Sequence, residues 1–151
     1  MSVTLSQISI SEFFDDPSTE ALLAEYADEC ALAGLPPPVP HRDIYLALER
    51  AGIVSMFGAR VDGVLVGFIV LLTSMNPHYS VVLGAVESFF VAAAHRKSGA
   101  GVKLLREARR AAKDRGAVGL LVSAPFGGKL AAVLKRSKRF DLTNEVFCEV
   151  L

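Results

Sequence analysis

Two apolar runs flank Asp62-Gly63 in IVSMFGARVDGVLVGFIVLLTSM, residues 53–75, and this arrangement constrains the fold more than any other stretch of the chain. Asp-Gly between β-type runs is the strongest short-range hairpin signal, so the chain is expected to hold an antiparallel strand pair. The second run is broken by Thr73, Ser74 and Pro77. It falls short of the roughly 18 apolar residues that span a bilayer, and reads as a buried strand. Asn76-Pro77 marks the next turn, and VVLGAVESFFVAA after it reads as a third strand.

Other elements follow from the same signals. SVTLSQISI alternates as a half-buried strand does. DDPSTEALLAEYADECALAGL carries Leu22, Leu23, Tyr26 and Cys30 at helical spacing, with Pro17 near its start and Gly34 closing it. The prolines of PPPVP, residues 36–40, favour a stiff extended loop, and a short helix is expected from about Arg42 to Ala51. From Gly99 to Arg115, positions 101, 104, 105, 108, 111 and 112 form an apolar helical face, and Gly116 stops it. AVGLLVSA reads as a buried strand, KLAAVLKRSKR as a short basic helix and EVFCEVL as a closing strand. The expected order is β-α-α-β-β-β-α-β-α-β: an α/β (α+β) fold with a mixed, mostly antiparallel central sheet flanked by helices. At 151 residues the chain is expected to form one domain, residues 1–151, without help from metal or disulfide.

The third strand runs into a basic, glycine-bearing turn: VESFFVAAAHRKSGAGVKLL, residues 86–105. A helix start presents unpartnered N–H groups and the positive end of the peptide dipoles, and glycines there let an anion approach closely. The phosphate loop GxxxxGK[ST] is absent, and the dinucleotide pattern GxGxxG fails because Leu104 stands where its third glycine belongs. What remains is Arg-x-x-Gly-x-Gly over residues 96–101, after an apolar strand and before an amphipathic helix.

Arg96-Lys97-Ser98-Gly99-Ala100-Gly101 resembles the (Gln/Arg)-x-x-Gly-x-(Gly/Ala) signature of the GCN5-related N-acetyltransferases, with Ala92 and Ala93 where that family usually has Asp-Pro. The resemblance implies the family's fold and acetyl-coenzyme A as co-substrate, its pyrophosphate facing the backbone N–H groups of Lys97 to Val102. It places Phe89, Phe90 and Val91 beside the pantetheine arm, with backbone groups of Phe90 and Val91 facing the acetyl and amide groups. The implied cofactor set is therefore Phe89, Phe90, Val91, Arg96, Lys97, Ser98, Gly99, Ala100, Gly101 and Val102. The implied reaction is direct attack of a primary amine on the thioester, which needs a group to take the ammonium proton. Glu87, the one acid of its strand, is the candidate base and is expected to share a strand face with Phe89 and Val91. The family's tyrosine after the fifth strand has no counterpart: VLKRSKRF puts Lys135 near that position, and Ser123 and Ser137 are the alternatives in the chain. A coenzyme-A-binding sensor without transfer is therefore the second reading.

Charge is unevenly spread. Residues 1–95 hold three basic against eleven acidic residues, and residues 96–151 hold thirteen against five. The basic half contains the proposed cofactor loop. The acidic half, with Glu25, Asp28, Glu29, Asp43 and Glu49, is expected to draw a cationic acceptor, with Glu29 and His41 as candidate substrate residues. The acceptor stays open among small amines, antibiotics, polyamines, peptide N-termini and lysine side chains. Zero net charge and no aromatic residue between Arg96 and Ala124 argue against nucleic-acid binding. Cys30 and Cys148 are solitary, so neither metal nor disulfide is expected. No basic-then-apolar N-terminal region signals export, and the expected location is the cytoplasm without membrane attachment. The resemblance is compatible with a homodimer through exposed sheet edges.

Overall fold

The structure is a computed structural model that describes residues 2–151. Its elements run β1 (Val3–Ile8), α1 (Ile10–Asp15), α2 (Thr19–Cys30), α3 (Arg42–Arg50), β2 (Val54–Val61), β3 (Val64–Asn76) and β4 (Val81–Val91). A 3-10 turn (Ala93–Ser98) then leads into α4 (Ala100–Asp114), β5 (Gly119–Val122) and α5 (Lys129–Arg136). The strands form one sheet in the order β1-β2-β3-β4-β5. The first four are antiparallel, with Val61 opposite Val64 across the Asp62-Gly63 hairpin, and β5 joins β4 in parallel. The mixed, mostly antiparallel sheet flanked by helices is the architecture expected from the sequence.

Each face of the sheet carries its own core. On one face α4 sets Ala100, Leu104, Ala108 and Ala112 against the strands, each at most 2% exposed. These positions recur every four residues, one stripe of a helix. The stripe is mostly alanine, so the helix lies close to the sheet. Gly84 of β4 completes the approach: a Cβ there would stand 2.9 Å from the Ala112 side chain. On the other face Ile10, Phe13 and Leu22 of α1 and α2 pack on Met56, Phe68, Val70 and Phe90, with Tyr45 and Leu46 of α3 alongside. Burial of each such side chain contributes about 1.5–3 kcal/mol.

The structure departs from the expected element pattern in three places. β1 ends at Ile8, because Ser9 caps a separate helix: its side chain accepts from the Glu12 N–H at 3.0 Å, and the Glu12 carboxylate accepts from the Ser9 N–H at 2.6 Å. That Ser-x-x-Glu box outweighs the alternation of the preceding residues. An additional helix thus precedes the one expected from Asp15 to Leu35, which is α2 and ends at Cys30 rather than near Gly34. Finally, residues 145–151 form no strand; Val146 and Phe147 are 87% and 88% exposed. A strand is a pairing rather than a local conformation, and alternation cannot supply the neighbour.

Candidate functional site

β4 carries the irregularity that organises the site. Ser88 pairs with Val70 of β3 and Val86 with Leu71, leaving Glu87 as an extra residue, a β-bulge. A bulge resets which side chains point to which face. Val86 and Val91 join the core under α4, with Phe89 packed against it, whereas Phe90 joins the core under α1 and α2. Glu87 turns to the α3 face, where the Tyr45 hydroxyl donates to its Oε1 at 2.9 Å. Glu87 thus lies on the face opposite Phe89 and Val91, not on a shared one. Counting by twos along the strand missed this because it assumes an unbroken pleat.

β4 and β5 part company at the same place. Their pairing ends at Val86 opposite Val122, while β4 runs on to Val91. Ala92 donates its N–H to Val66 O at 2.9 Å, which fixes the phase of the ladder with β3. By alternation the polar groups of Phe90 point toward β3, and those of Phe89 and Val91 point into the opening. Of the two strand residues expected to offer backbone groups there, Val91 does so and Phe90 does not; Phe89 takes its place. The Val91 carbonyl accepts from Arg96 Nε at 2.9 Å.

The helix start lies against this opening. Gly99 adopts φ +83°, the left-handed conformation that turns the 3-10 segment into α4. Ser98 Oγ donates to His95 O at 2.6 Å and accepts from the Ala100 N–H at 3.3 Å. The next two N–H groups, of Gly101 and Val102, have no acceptor within the helix because they belong to its first turn. A Cβ on Gly101 would meet Phe89 Cζ at 3.5 Å and Val91 Cγ2 at 3.7 Å, ordinary contact distances. The packing therefore accommodates a side chain here, and glycine leaves clear the space between the helix start and β4. A phosphate-bearing ligand fits such a cradle.

Several charged residues have other duties than those the sequence suggested. Arg96 Nη2 donates to both carboxylate oxygens of Glu29 of α2, at 2.7 and 2.6 Å, and the guanidinium lies 5.4 Å from the centroid of the Phe90 ring. Glu25, one turn earlier on α2, accepts from the Ala93 N–H at 2.7 Å. Together they strap α2 to the turn after β4. Glu49 accepts from the Ile10 N–H at 2.9 Å and so caps α1. Three of the five acids read as a field for a cationic acceptor are thus engaged internally, and the Arg96 charge is matched by Glu29. Lys97 is exposed beside the turn, and Lys103 Nζ donates to Val3 O at 3.2 Å.

His41 opens α3 at the N-cap position without a side-chain cap bond, and its carbonyl accepts from the Tyr45 N–H at 3.2 Å. His41 and Tyr45 therefore share a helix face one turn apart. Tyr45 was missed from sequence, since nothing local says which strand that face meets. Burial, then the Glu87 charge, holds the Tyr45 phenol above its usual pKa. Burial also pushes the neighbouring Tyr26 phenol up to about 12, with smaller effects from Cys30 and Glu87. On the far side, α5 bears Lys135 and no tyrosine, and Ser123 directly follows β5. Among the described residues no group of three or more His, Cys, Asp or Glu side chains is placed to hold a metal ion, and no helix is long and apolar enough to cross a membrane.

Residues 11–133 match the family model described as "Acetyltransferase (GNAT) family". No curated protein matches the chain by sequence. Among solved structures it is similar to a ribosomal-protein-alanine N-acetyltransferase from Brucella melitensis biovar Abortus 2308, at 24% identity and TM-score 0.69, covering 98% of this chain and 99% of that one. The aminoglycoside acetyltransferase meta-AAC0020 from an uncultured soil metagenomic sample, in complex with sisomicin, aligns at 14% identity and TM-score 0.74, covering 99% and 96%. The structure of AAC(6')-Iy with the bisubstrate analogue CoA-S-monomethyl-acetylneamine aligns at 17% identity and TM-score 0.69, covering 99% and 97%. At these identities the likeness concerns the fold, and it extends over nearly the whole of each chain.

Proposed function

The chain belongs to the acetyltransferase (GNAT) family, and from that premise we propose that it transfers an acetyl group from acetyl-coenzyme A to a primary amine by direct attack. The observation that carries this reading is the junction of two features. β4 and β5 separate beyond Val86 and Val122, and the bare amides of Gly101 and Val102 stand at the end of that opening. In this reading the amides of residues 97–102 receive the diphosphate, with Gly99 and Gly101 allowing close approach. The Phe89 and Val91 N–H groups, pointing into the opening, pair with the amide and carbonyl groups of the pantetheine arm and thioester. A strand N–H aimed at the thioester oxygen stabilises the charge that develops there. The bound co-substrate supplies an activated acetyl group. The neutral amine nitrogen bonds to the acetyl carbon, the carbon–sulfur bond breaks with its electron pair staying on sulfur, and the proton that the nitrogen then sheds balances the thiolate, giving amide and free thiol.

The ammonium form of the acceptor has no free electron pair, so its proton must leave before attack. Glu87, projecting from the bulge on the α3 face, is proposed to take it, with Tyr45 holding the carboxylate through its hydroxyl. In this arrangement the co-substrate enters from the α4 side and the acceptor from the α3 side, and the two meet in the opening where β4 and β5 separate. His41, one turn from Tyr45, is proposed to border the acceptor, whereas Glu29 is proposed to act indirectly by fixing Arg96.

Thermal unfolding with and without acetyl-coenzyme A, against ATP and NAD as controls, tests the reading. Ligand at 100 times its Kd adds about 2.7 kcal/mol, a rise of several degrees for a domain of this size. A shift specific to acetyl-coenzyme A, followed by thiol release when amines are supplied, is the expected result. A shift with no thiol release across an amine panel would favour the sensor reading instead. No shift at millimolar ligand would overturn both.

A further inference from the structure

We propose that Tyr26 of α2 relays the ammonium proton from the acceptor nitrogen to Glu87. The proposal rests on the acetyltransfer reading, in which the thioester lies beside Phe89 and Val91. About 7 Å of strand separates Glu87 from Phe89, and the Tyr45 hydroxyl pins Glu87 Oε1 on the α3 face. An amine at the thioester therefore stands beyond the roughly 3 Å that direct proton transfer to the carboxylate requires. Tyr26 occupies the intervening ground. Its ring meets the Phe90 ring edge-on at 5.7 Å and the Phe68 ring at 5.6 Å, which sets it over β4 just past Glu87.

The two tyrosines differ in what their hydroxyls do. Tyr45 donates to Glu87, whereas among the described residues no group hydrogen-bonds the Tyr26 hydroxyl. Burial, then Cys30 and Glu87, hold the Tyr26 phenol up at about 12, and Tyr26 is among the groups that raise Tyr45 after burial and Glu87. Tyr26, Tyr45 and Glu87 thus share one electrostatic neighbourhood. Cys30 lies one turn further along α2, and Arg96, on the Phe90 ring, is paired with Glu29. At neutral pH the phenol keeps its proton, so its oxygen accepts while its O–H donates. In the relay the ammonium proton passes to the phenol oxygen as the phenol proton moves, through one bridging water, to the second oxygen of Glu87. The nitrogen gains a free electron pair, the carboxylate becomes a neutral acid, and Tyr26 ends as it began.

Tyr26→Phe keeps the ring on Phe68 and Phe90 and removes only the hydroxyl. The test follows thiol release by the full chain with two amines of similar size: ethylamine, an ammonium at neutral pH, and 2,2,2-trifluoroethylamine, already deprotonated there. The variant should keep the thermal shift with acetyl-coenzyme A and lose about a hundredfold in rate with ethylamine at pH 7. With trifluoroethylamine it should lose little, because that nitrogen has no proton to shed, and the ethylamine deficit should narrow as pH rises. Equal losses with both amines at every pH would mean that Tyr26 only supports the structure, and no loss with either would also overturn the relay. NMR with carbon-13 at tyrosine Cζ decides the matter if neither amine is turned over. The chain has three tyrosines, assignable by Tyr→Phe variants. The Tyr26 signal should move when ethylamine is added to the coenzyme A complex and when Glu87→Gln is made, while Tyr79, between β3 and β4, stays in place. A Tyr26 signal unmoved by both would overturn the proposal. Absence of any thermal shift with acetyl-coenzyme A would sink the acetyltransfer reading and the relay with it. Turnover of ethylamine that is indifferent to Tyr26→Phe would sink the relay alone.

Discussion

Gly99 and Gly101, two residues apart, do different work, and substitution separates their roles. Gly99 holds φ +83° with nothing within 4 Å of the point a Cβ would occupy, so a side chain there meets backbone strain and no clash. Gly99→Ala should cost about 1 kcal/mol of stability, read as a melting temperature lower by a few degrees. Gly101 has an ordinary helical backbone and room for a Cβ against Phe89 and Val91. Gly101→Glu should therefore fold, with an acidic residue in the first turn of α4 where the helix dipole favours it. It should nevertheless lose acetyl-coenzyme A binding, because its carboxylate competes for the amides and repels phosphate. Isothermal titration on the folded variant decides the point. Retained affinity would show that the diphosphate does not lie there. The motif itself was legible from sequence because it is contiguous and rests on backbone geometry. The partners of Arg96 and the position of Tyr45 were not, since each depends on a residue more than forty positions away.

At the scale of elements, α1 concentrates the carboxylates with lowered pKa. Backbone and side-chain hydrogen bonds from Ser9 hold Glu12 below its ordinary value, and the Arg42 guanidinium does the same for Asp15. Asp16, at the end of the helix with its side chain 8% exposed, is pushed up by burial. The Ser18 backbone N–H and Arg60, 2.6 Å away, outweigh that and bring it down. Folded values below the unfolded ones mean stability that is present above about pH 4 and disappears as pH falls through the folded values. Urea midpoints of the wild type and Asp16→Asn should therefore differ at pH 7 and converge in strong acid. A gap that persisted there would mean that Asp16 acts through its shape and hydrogen bonding rather than its charge. The straps from Glu25 and Glu29 to the turn after β4 work at the same scale. They couple the position of α2 to the loop that carries the proposed phosphate site.

Across the whole molecule, protection should follow the sheet order. β2 and β3 are flanked by strands on both sides and covered by helices on both faces, whereas residues 137–151 form no regular element. Hydrogen exchange should be slowest in β2, β3 and the buried face of α4, and fastest in residues 137–151. Protection of residues 145–151 comparable to that of β3 would show that this segment pairs in solution as its alternating sequence suggests. The same map taken with acetyl-coenzyme A should slow the amides of residues 97–102 first, if the diphosphate lies on them.

The sequence by itself determined the hairpin at Asp62-Gly63, the apolar stripe of α4, the order of the main strands and helices, and the glycine turn before α4. All of these depend on interactions between residues close in the chain, where turn chemistry and periodicity act directly. Tertiary structure decided what no local rule reaches. It placed the bulge that puts Glu87 on the α3 face, the divergence of β4 from β5, and the Tyr45–Glu87 contact. It also directed Glu29 to Arg96 rather than to an acceptor and left residues 145–151 without a strand partner. The physical reason is common to them: strand register and side-chain pairing are settled between distant segments, where one extra residue reverses a face and the partner's identity sets the role of a charge.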